Sequence, residues 1–190
     1  MTLARFYRAP MQSLRRLADE QKGASAIEFA LLLPLMLTLY ISGVEISQAV
    51  GADRKVTLIA HTVADLIAQT SVSLSSTDVG NALAASGAIV TPYSASNLRV
   101  IVSQIKIDAN GNATIDWSQS TPANVARTKG APVTLDPLLN NASTWGTCLI
   151  WGETTYAYTP QLGYAITGTL NLSDQIYLAP RLKTCVTYTG

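Results

Sequence analysis

Residues 24–43 carry a single formal charge, that of Glu28, in a run of twenty otherwise uncharged and mostly apolar positions. A helix rises about 1.5 Å per residue, so such a run spans roughly 30 Å, the hydrocarbon thickness of a bilayer. Ile27, Phe29, Leu31, Leu32, Leu33, Leu35, Leu37, Leu39 and Ile41 each favour insertion by about 0.3–0.6 kcal/mol, together roughly 3–5 kcal/mol. One acidic residue at the centre of a span costs about 2.5–3.5 kcal/mol. Glu28 lies toward the start of the run, where the cost is smaller. The stretch therefore predicts a membrane-spanning helix, and whatever follows must be organised around an anchor.

An ionisable group inside a span needs a partner or water. Two readings of Glu28 stand. It is a hydrated glutamate near the helix end, or its spacing from Gly23 has a purpose. Gly23 is followed by Ala24, Ser25, Ala26 and Ile27, then by Glu28 and Phe29. A cut between Gly23 and Ala24 makes Glu28 the fifth residue of a new N-terminus. Its carboxylate can then neutralise the α-amine of a neighbouring copy, removing two unpaired charges from lipid together.

That pattern of glycine, four residues, glutamate and an aromatic at the head of an apolar helix resembles the processing site of type IV-like prepilins. It is most similar to the Tad (tight adherence) group, with Phe29 where the major subunit usually has tyrosine. The wider run KGASAIEFALLLPLMLTLYISGVEI resembles TadE-like minor pilins, and the ending TYAYTP…IYLAPRLKTCVTY does so more loosely. The resemblance implies cleavage between Gly23 and Ala24 by an inner-membrane prepilin peptidase. It further implies assembly with other Tad pilins or pseudopilins through the helix, where Glu28 and Phe29 act.

The chain of 190 residues holds one domain plus an anchor. Charged residues make up 13% and the net charge is +1, which indicates neither a nucleic-acid partner nor a strongly acidic one. The charge is unevenly placed. Residues 1–22 hold five Arg and Lys against Asp19 and Glu20, whereas residues 24–190 hold eight basic against ten acidic side chains. A basic flank before the span predicts a cytoplasmic N-terminus and a translocated C-terminal part. A secretory signal peptide would share this layout, with a later cut in SGVEISQAVGA; the length of the span and Glu28 weigh against it. The expected divisions are a cytoplasmic basic leader (1–23), a long helix transmembrane in its first half (24–69), and a periplasmic α+β domain (70–190).

Helical periodicity continues past the span. Ile46, Val50, Val56, Ile59, Val63, Leu66 and Ile67 recur mostly at intervals of three or four, so they predict the stripe that packs on the domain. Pro34 and Gly43 are tolerated in a span and are candidate kinks. SVSLSSTDV predicts a cap and a short helix at 77–86. LRVIVSQIKID, the turn at 108–112 and ATIDWSQ predict a hairpin. That turn echoes a calcium loop but lacks the later ligands and glutamate. Residues 118–147 carry loop signals, 147–158 a strand, and 175–178 and 182–189 the last strands; 160–173 read as loop or amphipathic turn. The predicted fold class is α+β: a long N-terminal membrane-spanning helix, then a small antiparallel sheet of about four strands, the plan of pilins.

Cys148 and Cys185 both fall on the translocated side. In an oxidising compartment the default is one disulfide closing a loop of about 37 residues; the alternative is two buried thiols. Two cysteines and the single His61 are too few for a structural zinc site, so no metal is expected. His61 on an amphipathic helix reads as packed or solvated, and Glu45 as a glutamate near the outer interface facing a neighbouring copy. Asp108 and Asp116 could face each other across the hairpin but read as solvated turn carboxylates. With no Ser–His pair and no phosphate-cradling loop, no catalytic residue and no cofactor are expected. The predicted function is a Tad-type minor pilin or pseudopilin. The alternative is a membrane-tethered periplasmic binding or scaffolding module that never enters a filament.

Overall fold

The computed structural model describes residues 21–70, 73–163 and 165–190; the expected leader lies outside them except for its last three residues. Helix α1, Gln21–Ala68, runs 48 residues without interruption, roughly 72 Å. Pro34 sits inside it, and the helix continues through. One turn on, the Thr38 hydroxyl donates to the Leu35 carbonyl at 2.7 Å.

Beyond α1 come strand β1 (Ser73–Ser75) and helix α2 (Ser76–Val90). A capping box starts α2: Ser75 Oγ accepts from Asp78 N at 3.2 Å, and the Asp78 carboxylate accepts from Ser75 N at 3.0 Å. The predicted helix at 77–86 is therefore present and longer. It ends before Pro92, which disfavours helical geometry at Thr91.

The remaining strands are β2 (Leu98–Ile107), β3 (Ala113–Thr121), β4 (Cys148–Tyr158), β5 (Leu170–Leu178) and β6 (Thr187–Thr189). β3, β2, β4 and β5 form, in that order, a four-stranded antiparallel sheet. The class is α+β, a long apolar helix followed by this sheet. β5 begins at Leu170, inside the stretch whose sequence was ambiguous. The predicted last strand at 182–189 differs more. Only β6 is extended, and it pairs parallel with β1 in a separate ladder. Cys185 is tied to Cys148, so only the few residues after it are free to run along β1. Gln104, fully buried, holds the same segment through both ends of its amide: Val186 N donates to Oε1 at 2.8 Å, and Nε2 donates to the Val186 carbonyl at 3.1 Å.

The β2–β3 register shifts between Gln104 and Ile105, whose partners are Trp117 and Ile115, leaving Asp116 as a bulge. The bulge puts Trp117 on one face and Ile115 on the other, and the sheet has two cores. One lies against α1 and α2, with Val56, Ile59, Val63, Val79, Val100 and Ile150. The other joins Ile105, Ile107, Ile115, Leu149 and Trp151 to Leu135, Val133 and Leu139 of the long connection between β3 and β4.

The stripe of α1 corrects the sequence reading. Val56, Ile59, Val63 and Ile67 are buried, but Ile46 (52% exposed), Val50 and Leu66 face outward. Ala49, Ala52, Ala60, Ala64 and Ala68 take their place. In the middle of this face the approach is close: a Cβ on Gly152 of β4 would meet the Ala60 carbonyl oxygen at 2.8 Å and Ala64 Cβ at 2.9 Å. A larger side chain at Ala64 has no room against Gly152.

Candidate anchoring and assembly site

α1 divides at Glu45. From Gly23 to Val44 no residue is buried, and Ile27, Phe29, Leu31, Leu35, Leu39 and Tyr40 stand open around the helix. This segment, roughly 33 Å long, is apolar enough to cross a membrane, and none of its most apolar window is covered by the rest of the fold. Gly23, Ala24, Glu28 and Phe29 all lie exposed in its first turns. Glu28 follows Gly23 by five residues, a rise of roughly 7.5 Å. A Cβ on Gly23 would meet nothing within 4 Å. Glycine inside a helix is less stable than alanine by about 1 kcal/mol, and no packing among the described residues requires it there.

Glu45, roughly 25 Å farther along the axis, is only 2% exposed. Its Oε2 accepts N–H bonds from Ala165 at 2.7 Å and Ile166 at 3.3 Å. The expectation that Glu45 faces another copy is therefore corrected: this carboxylate turns inward and holds the loop between β4 and β5. The signal was present in the sequence, since Glu45, Ala49, Ala52, Val56, Ile59 and Val63 are spaced by four, three, four, three and four. Counting only large aliphatic residues hid it. The Tyr158 hydroxyl is pushed up by burial first, then by Tyr93 and by the Glu45 charge.

Cys148 and Cys185 are joined, with Cα atoms 5.0 Å apart. The bond sits at the opposite end of the sheet from Glu45, and Cys148 N donates to the Thr184 carbonyl beside it. The disulfide and the apolar helix are thus separate devices.

The other polar candidates are engaged structurally. Asp108 Oδ1 accepts from Asn110 N and Asn112 N, both at 2.8 Å, and Oδ2 accepts from Asn112 Nδ2. These bonds, the Asn112 side chain first, lower its pKa. Asp116 accepts from Gln104 Nε2 at 2.7 Å. The two carboxylates therefore serve different partners. His61 is exposed beside the Asp65–Arg181 ion pair. On the second face Arg127 pairs in a fork with Glu153 at 2.7 Å and lies 3.9 Å above the Trp151 ring, which stacks on Tyr177. Glu153 raises the Arg127 pKa. Among the described residues no group of His, Cys, Asp and Glu is arranged to hold a metal ion.

An uncovered apolar helix that runs unbroken into an α+β head is compatible with a single-pass membrane anchor. The family model described as TadE-like protein matches residues 23–65, which is α1 from Gly23 to Asp65. The N-terminal segment is TadE-like; the match points to a protein associated with the Tad pilus, in a family that is structural rather than enzymatic. The loosely similar C-terminal ending lies outside the matched residues. No curated protein and no solved structure matches the chain.

Proposed function

We propose that this chain is a minor pilin or pseudopilin of a Tad-type system, inserted in the bacterial inner membrane with its N-terminus cytoplasmic and its head periplasmic. The observation that carries this reading is the bare half of α1, bilayer-long and apolar, with one carboxylate five residues after a glycine that packing does not require. In this reading residues 1–23 are a leader removed by a prepilin peptidase, 24–69 the anchoring helix and 70–190 the periplasmic domain. Glu28 neutralises the new α-amine of an adjoining subunit, and Phe29 packs beside it. Other pilins or pseudopilins are the partners, met helix against helix. No catalytic residue, cofactor or metal enters this role.

Intact mass of the protein extracted from membranes tests it. Loss of residues 1–23 with the span retained is the expected result, and Gly23→Val accumulates full-length precursor because the peptidase needs a residue without a side chain at the cut. A mass that retains residues 1–23 would overturn processing and favour a tethered scaffold. A mass lacking residues 24–43 would make the stretch a signal peptide.

A further inference from the structure

We infer that the head sits directly on the lipid headgroups, on a charge-free collar made of residues 91–97, 159–163 and 165–169, with Leu162 entering the interface. This rests on residues 23–44 being a membrane span. Three observations meet at one level of α1. The bare segment is roughly 33 Å long, against about 30 Å of hydrocarbon, and the next residue, Glu45, is already buried. No stalk separates span from head.

Both loops are fastened to the helix at this level. Glu45 accepts the N–H groups of Ala165 and Ile166, so the loop between β4 and β5 crosses α1 where the apolar segment ends. Tyr93 of the other loop donates its hydroxyl to the Gln48 carbonyl at 2.8 Å, one turn farther on, and packs edge-on against Tyr158. Neither TPYSASN nor TPQLGYAITGT contains a charged residue or a histidine. Loops at the far end of the sheet differ, with Asp108 in one and Arg181 and Lys183 in another. Tyrosines and apolar side chains without formal charge suit the headgroup level, where ion hydration competes with insertion. Leu162 is 69% exposed on the collar; Leu182, 62% exposed, is its counterpart at the far end.

The test places tryptophan at each site. Full-length protein carrying Leu162→Trp or Leu182→Trp is reconstituted into phosphatidylethanolamine–phosphatidylglycerol vesicles, and fluorescence is read as the difference from the unsubstituted chain. Flotation with the vesicles reports the span independently. The expected result is co-flotation, with the tryptophan introduced for Leu162 quenched by shallowly brominated lipid. Its quenching by aqueous acrylamide is several-fold weaker than that of the one introduced for Leu182. Glu45→Ala, by releasing the loop, restores acrylamide access. Co-flotation with equal acrylamide access at both sites would overturn the collar while leaving the span intact. Protection that fades on dilution into excess lipid would assign the surface to neighbouring subunits and overturn the inference. Failure to float would remove the span and the collar together.

Discussion

Two segments of one helix show what the surroundings make of the same residue type. In the lower segment of α1, Glu28 stands exposed among uncovered leucines, and none of the most apolar window is buried among the described residues. In the upper segment, Glu45 is buried and accepts two backbone N–H groups, and alanines alternate with Val56, Ile59, Val63 and Ile67 on the packed side. The backbone is helical throughout. The lower half is therefore unfinished without lipid or a neighbouring helix, whereas the upper half is completed by its own sheet. In the proposed role assembly and folding draw on different parts of one element, and substitutions in the two halves should separate them.

Glu28→Gln makes the sharpest cut. An α-amine left unpaired inside apolar surroundings costs about 3–5 kcal/mol, so incorporation of the variant into filaments should fall more than a hundredfold. Membrane insertion, leader removal and the head's denaturant midpoint should not change. Normal filament yield from this variant would end the pairing account.

Reduction of Cys148–Cys185, or the Cys148→Ser/Cys185→Ser pair, comes next. Opening a loop with a sequence separation of 37 should lower head stability by about 3–4 kcal/mol in the chain-entropy model. The four-stranded sheet should survive, because of the tail only Val186, with Tyr188 packed beside it, enters a core built chiefly from the helices and the sheet. Urea unfolding with circular dichroism, with and without reductant, measures both points. An unfolded head under reducing conditions would show that the tail creates the fold rather than securing it.

Gly152 and Gly43 sharpen the comparison at smaller scale. Gly152→Ala forces a Cβ against the Ala60 carbonyl and should cost the head about 1–3 kcal/mol. Glu45→Ala, which strands the Ala165 and Ile166 N–H groups, should cost a similar 1–3 kcal/mol. Gly43→Ala meets nothing within 4 Å and should leave the head's unfolding midpoint where it was. A midpoint shift from Gly43→Ala would mean the two halves are mechanically coupled.

The smallest effect is acid sensitivity at the hairpin tip. Asp108 has its pKa lowered from 3.8 by hydrogen bonds, those from Asn112 foremost. Its contribution is thus complete above the unfolded value and is lost as pH falls through the lower folded one. Asp108→Asn should leave stability at neutral pH little changed in slope and flatten the decline below about pH 4. Midpoints measured from pH 2 to 7 would reveal it, and a flattened slope at neutral pH would contradict the assignment.

Much of this was readable from the residues. A chain with one charge in twenty apolar positions has to place that stretch in an apolar setting. The Asp-Ala-Asn-Gly-Asn turn has to fold back, because Gly111 adopts φ 84° there and few other residues do so readily. β4 followed from its aromatic and β-branched run, and the two cysteines had one partner each. What escaped notice depends on neighbours distant in sequence. The bulge at Asp116 decides that Ile115 and Trp117 face opposite cores, although strict alternation would put them together. β6 joins β1 because Cys185 and Gln104 bring Val186 there.

Local chemistry therefore determined that this protein is an apolar helix followed by an α+β head, since hydrophobic length, capping and turn residues act over a few positions. Only the tertiary structure decided how closely the packed face of α1 approaches the sheet, because Gly152, on a strand about ninety positions away along the chain, admits Ala60 and Ala64 where a side chain would collide. It also decided that of two glutamates on one helix, Glu45 holds a loop and Glu28 remains uncovered. A carboxylate's role is set by the donors that reach it, and those donors arrive from β-strand connections that periodicity along α1 does not encode.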